Sequence, residues 1–156
     1  MKISKIDPQT PLQASHELKI PFCDLDPAGV VWHGRFFRYF ELARAQLLDD
    51  IGYGYAQMHQ SGYNWPVVDA RVRYLKPLLL DQLVVVTAAL SEWEFRLKVD
   101  HQIVNESGEL CVRATTVQVP VLRETNEFRL GSPSRLIDCV ESRLAVLSGT
   151  KVDSGI

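Results

Sequence analysis

Asp24-Leu25-Asp26-Pro27-Ala28-Gly29-Val30-Val31-Trp32-His33-Gly34-Arg35-Phe36-Phe37-Arg38-Tyr39-Phe40-Glu41-Leu42-Ala43-Arg44 runs from a turn-rich loop straight into a helix. Pro27, Gly29 and Gly34 punctuate the first half, where the backbone must bend sharply. In the second half Phe36, Phe40, Ala43, Leu47 and Ile51 recur at steps of four, three, four and four, which lays one apolar stripe along a helix. Arg35, Arg38, Arg44 and Asp49 lie mostly off that stripe, and Gly52 stands where a left-handed C-terminal cap is wanted.

Outward from this stretch the period falls to two. Ala14–Ile20 alternates as a strand before the loop. Beyond the helix, Val68, Ala70, Val72 and Tyr74 alternate with Asp69, Arg71 and Arg73 as a half-buried strand. Leu83–Trp93 is more continuously apolar, and Phe95–Ile103 alternates up to the turn Asn105-Glu106-Ser107-Gly108. Leu110–Leu122 completes a meander, and Leu136, Ile137, Val140, Leu144 and Leu147 predict a short terminal helix. One strand, one long helix and four further strands make an α+β chain, with an antiparallel five-stranded sheet wrapped around the helix. A single helix covers one face of such a sheet, so the other face or a sheet edge is expected to pair with a second subunit about a two-fold axis. The organisation reads as a loose lead-in over 1–13, one domain over 14–125 and a C-terminal extension over 126–156.

Composition narrows the function. The 156 residues suit one cored domain, and a net charge of −2 with both signs interspersed offers no basic surface for nucleic acid. No apolar run approaches the roughly 20 residues that span a bilayer, and the opening residues lack the apolar core of a secretion signal, so the cytoplasm is the expected location. Cys23, Cys111 and Cys139 are odd in number and scattered, which fits reduced thiols; neither a metal nor a cofactor is expected.

Chemistry concentrates in the loop. Two carboxylates one residue apart precede a helix that opens near His33 or Gly34, where unpaired N–H groups and the positive end of the helix dipole point outward. A thioester carbonyl held there would be polarised by those N–H groups while Asp26 attacks it or activates a water. The stretch D-L-D-P-A-G-V-V-W-H-G-R-F-F-R-Y-F-E-L-A-R resembles the signature of hotdog-fold acyl-CoA thioesterases. Its D-P-A-G-V-V-W portion is similar to the 4-hydroxybenzoyl-CoA thioesterases, and R-Y-L-K-P and S-E-W in the strands extend the likeness over most of residues 14–125. The resemblance implies a helix wrapped by a sheet, a homodimer or homotetramer with sites between protomers, and an acyl-CoA or acyl-carrier-protein substrate. It makes Asp26 the catalytic carboxylate, nucleophile or general base, and the backbone N–H of His33 the carbonyl-polarising donor, with Gly29, Val30, Trp32, Gly34, Phe36 and Glu41 as substrate-binding positions. Gly34 and Phe36 depart from the family pattern, where Ala and Tyr are usual.

Plainer readings stand beside these. Asp24 is structural or orienting, since Asp favours turns and helix entries for its side-chain bonds to backbone. Trp32, Phe36, Phe37 and Phe40 either line an acyl pocket or pack the core, with Phe40 read as core. Glu41, roughly 12 Å along the helix from His33, either reaches the far end of an acyl group or pairs with Arg38 or Arg44. His101 reads as a core histidine, and His16 and His59 show no metal-ligand spacing. F-C-D-L-D-P is also similar to the D-x-D of haloacid-dehalogenase-like phosphatases, but that fold needs alternating strands and helices. A hotdog dehydratase or hydratase would need a His or Asp–His constellation that is not found, and a non-catalytic acyl-thioester-binding hotdog domain is the remaining alternative.

Overall fold

The computed structural model describes residues 5–149, so the outer ends of the expected lead-in and C-terminal extension lie outside the described residues. The strands of the main sheet are β1 (Gln13–Lys19), β3 (Val67–Tyr74), β4 (Leu83–Glu92), β5 (Leu97–Asn105) and β6 (Leu110–Gln118). The helix α1 (Phe36–Ile51) lies between β1 and β3 in the chain. The sheet is antiparallel throughout, in the order β1-β4-β5-β6-β3. After β1 the chain therefore crosses the sheet through α1 to its far edge, starts again beside β1, and returns in a meander.

Phe36, Phe40, Ala43, Leu47 and Ile51 are all buried, as their spacing predicts. Each large apolar side chain so covered contributes on the order of 1.5–3 kcal/mol. They face the inward residues of the sheet, such as Val86, Ile103 and Val112, which lie side by side across three strands. Gly52 ends α1 at φ +87°, a conformation that favours glycine, and its N–H returns to the carbonyls of Leu48 and Asp49. The other face of the sheet is polar and internally bonded: Ser15 meets Thr87 at 2.9 Å, and Thr115 donates to Asp100 at 2.8 Å.

Three local findings differ from the sequence reading. The segment before β1 is anchored, with Ile6 and Leu12 buried and the Ile6 N–H bonded to Gln102. A small unit, α2 (Tyr55–Gln60) with β2 (Tyr63–Asn64) paired to β7 (Val121–Leu122), follows α1; its elements are too short to produce a period. β3 is an edge strand and is mostly exposed in the protomer, with Val68 at 58 % exposure, rather than half-buried. Its inward residues extend past the reach of a single helix. The C-terminal helix α3 (Ser134–Leu147) seats Leu136 and Val140 in the core. Among the described residues no helix is long and apolar enough to cross a membrane.

Candidate active site

The loop between β1 and α1 folds back on itself as a small hairpin. Asp26 N–H donates to the Val30 carbonyl at 2.9 Å and Gly29 N–H to the Asp26 carbonyl at 3.0 Å, which closes a turn with Gly29 at φ +79°. Val31 N–H donates to Leu78 at 2.9 Å, fastening the outer arm of the hairpin to the segment that leads into β4. The chain then enters a 3-10 turn, His33–Arg35, continuous with α1. Trp32 N–H donates to the Asp24 carbonyl and Arg35 N–H to the Trp32 carbonyl, both at 2.9 Å. Between them, the N–H groups of His33 and Gly34 have no acceptor among the described residues, as the first turn of a helix requires.

The two loop carboxylates have opposite surroundings. Asp24 is 3 % exposed; it accepts a 2.6 Å bond from the Tyr39 phenol, and Arg35 Nε lies 3.5 Å from its other oxygen. Burial, and then the bond to Asp24, push the Tyr39 phenol well above its usual range, with Arg35 partly opposing. Asp26 is half-buried, and among the described residues only one of its oxygens is engaged, by the Ala28 N–H at 2.8 Å. It opens onto a cleft of about 340 Å³ that Val30, His33 and Phe36 also line. Tyr74, Leu75, Lys76 and Pro77, at the end of β3, form the opposite wall. Tyr74 packs edge-on against Phe36 at 5.1 Å between ring centroids and donates its hydroxyl to the His33 carbonyl at 3.0 Å.

The structure thus gathers Asp26, Val30, His33 and Phe36 at one cleft and leaves the other expected positions outside its lining. Gly29 shapes the turn. Trp32 is exposed, stands beside the His33 ring at 5.1 Å, and covers Gly34 so closely that a Cβ there would overlap its indole. Glu41 forms an ion pair with Arg44 and accepts a 2.8 Å bond from Tyr55, the plainer of its two readings. Arg44 lies off the apolar stripe in sequence yet is buried beneath the helix, where desolvation lowers its pKa. Phe40 is core and stacks on the fully buried His101 at 4.8 Å, while His101 Nε2 meets Thr116 at 3.0 Å. Tyr74, Leu75, Lys76 and Pro77 went unnoticed as cleft residues; the only signal in the sequence is the R-Y-L-K-P string itself.

A second hollow of about 330 Å³, at Ser91–Phe95, lies at the opposite end of the sheet. Glu92 there is tied to Arg96 at 2.7 Å and sits against Lys98, while Glu94, the other carboxylate of the hollow, is exposed. Among the described residues no cluster of His, Cys, Asp and Glu is arranged to hold a metal.

A sheet wrapped around one helix, with a carboxylate cleft where that helix begins, defines a hotdog-fold protein. Residues 20–145 match the Thioesterase-like superfamily, and the chain belongs to it. YneP of Bacillus subtilis (strain 168), named as a candidate acyl-CoA thioesterase, is 30% identical over 110 residues, covering 70% of this chain and 80% of that protein. A 1,4-dihydroxy-2-naphthoyl-CoA hydrolase of Thermosynechococcus vestitus is 29% identical over 109 residues, 69% of this chain and 74% of its own length. The crystal structure of a DHNA-CoA thioesterase from Staphylococcus aureus superposes with a TM-score of 0.75 at 23% identity, over 92% of this chain and 96% of that one. Thioester hydrolysis of CoA derivatives is the activity supported for this chain at the level of the family.

Proposed function

We propose that this chain hydrolyses an acyl thioester of CoA or of an acyl carrier protein, with Asp26 as nucleophile or general base and the His33 N–H polarising the thioester carbonyl. The observation that carries this reading is the cleft that joins a carboxylate with a free oxygen to an unpaired helix-start N–H and an aromatic wall. As a nucleophile, Asp26 forms an acyl-aspartyl anhydride, expels the thiolate and is freed by water. As a base, it takes a proton from a water that attacks the carbonyl directly. In either case negative charge develops on the carbonyl oxygen, and each aimed N–H lowers the barrier by about 2.7–4 kcal/mol. Val30, Phe36 and Tyr74 give the acyl group an apolar, aromatic surface, so aryl and medium- to long-chain acyl groups are the substrates to test.

The working unit in this reading is a homodimer, or a tetramer built from it. The β3 edge leaves Val67, Val68 and Tyr74 uncovered, and Tyr74 stands in the cleft wall. Two β3 edges paired about a two-fold axis would remove both edges and close each cleft with the partner chain.

The test is release of free thiol from a panel of aryl-, short- and long-chain acyl-CoA and acyl-carrier substrates, compared as kcat/KM. Turnover of at least one thioester that Asp26→Asn abolishes is expected. No thiol release from any substrate overturns the activity, and full activity in Asp26→Asn overturns the catalytic assignment. Sedimentation of the protein as a monomer at micromolar concentration overturns the interfacial site.

A further inference from the structure

We propose that Tyr74 is a positioning residue for the Asp26 site: from the end of β3, its hydroxyl fixes the backbone unit that aims the helix-start N–H groups at the substrate carbonyl. The inference rests on the proposed role of the His33 N–H and extends it to the next N–H of the turn, that of Gly34, which also has no acceptor among the described residues. Tyr74 donates to the His33 carbonyl at 3.0 Å. That carbonyl and the Gly34 N–H belong to one planar peptide and point in opposite directions, so holding the oxygen sets the aim of the N–H. The peptide sits in the 3-10 turn His33–Arg35, which no side chain caps among the described residues.

The ring and the hydroxyl of Tyr74 have separable tasks. The ring packs edge-on against the buried Phe36, a contact that phenylalanine would make equally well. The hydroxyl adds one directed bond to backbone and nothing else among the described residues. Partial burial raises the pKa of this phenol, so it stays a donor at any working pH. The strand and the helix are thereby joined at the position where the reaction needs a fixed dipole, and a small misplacement of such a group is costly in rate.

Tyr74→Phe tests this, because it keeps the ring and removes only the donor. Three readouts are taken on the wild type, Tyr74→Phe and Asp26→Asn in parallel. In Tyr74→Phe, kcat is expected to fall about fivefold with KM within about twofold, the size of one lost hydrogen bond. The Gly34 amide resonance is expected to shift in a ¹H–¹⁵N spectrum while distant core amides stay in place. An unchanged kcat, an effect on KM alone, or an unmoved Gly34 amide overturns the positioning role. Asp26→Asn separates the two levels: if it stays active, the site reading fails, whereas if it is inactive and Tyr74→Phe is fully active, only the role of Tyr74 fails.

Discussion

Two sets of polar groups lie along α1 and differ in what surrounds them. Beneath the helix, Asp24, Arg44 and His101 are buried against partners, Asp24 with Tyr39 and Arg35, Arg44 with Glu41 and His101 with Thr116, while Arg44 Nε and His101 Nδ1 have no hydrogen-bond partner among the described residues. At its start, Asp26 keeps an oxygen free, and the neighbouring N–H groups have no acceptor among the described residues. Asp24 and Asp26 are the same residue type two positions apart, so burial and pairing, rather than the chemistry of the side chain alone, set them apart. A buried, paired group stabilises one conformation. A half-open group with spare hydrogen-bonding capacity is available to a ligand.

The sharpest way to break this contrast is Asp26→Asn. The amide oxygen still accepts from Ala28 N–H, so the turn is kept, while the charge, and with it the proposed nucleophile or general base, is lost. Thiol release should fall about 10³-fold with the melting temperature nearly unchanged. Asp24→Ala should do the reverse, since it strands the Tyr39 hydroxyl and Arg35 beside a void. A loss of about 3 kcal/mol, read by urea denaturation, is expected, and a variant as stable as the wild type would collapse the distinction.

The pH response comes next in size. Burial, and then the charge of Arg44, hold the His101 pKa down to about 3 from its ordinary 6.5. Below about pH 6.5 the unfolded chain takes up this proton and the folded one does not. Stability is therefore fully present above that pH and is lost as the pH falls toward 3. Between pH 7.5 and pH 5 the loss from this group amounts to about 2 kcal/mol, measured as the difference between the wild-type and His101→Gln denaturation profiles. The smallest expected effect is that of Tyr39→Phe, which removes one of the bonds to Asp24 and keeps the ring. It should cost about 1.5 kcal/mol and leave KM unaltered.

The helix and the strands were legible because each carries a repeated period. The apolar stripe from Phe36 to Ile51 and the alternation along β5 state their burial residue by residue, and Gly52 marks its own cap. The loop was legible through its residue types and its family likeness, which placed Asp26, His33 and Phe36 at what proves to be one cleft. What stayed hidden depends on contacts distant in sequence. Nothing near Asp24 indicates that Tyr39 and Arg35 will seal it, and nothing near Tyr74 indicates that it will reach the His33 carbonyl, 41 positions away. Arg44 lies off the apolar stripe in sequence, and the stripe does not encode its burial beneath the helix, where it pairs with Glu41. The exposure of β3 follows from strand order, which alternation does not encode.

The indole of Trp32 resting on Gly34 has a consequence for how this loop can vary. A methyl group at 34 and the indole in its present seat exclude one another, so the two positions do not drift independently. Replacing Trp32 first opens the way to alanine at 34, whereas alanine arriving first must displace the ring from its place beside His33. The order of substitution, and not merely their sum, decides which intermediate sequences keep the start of the helix intact.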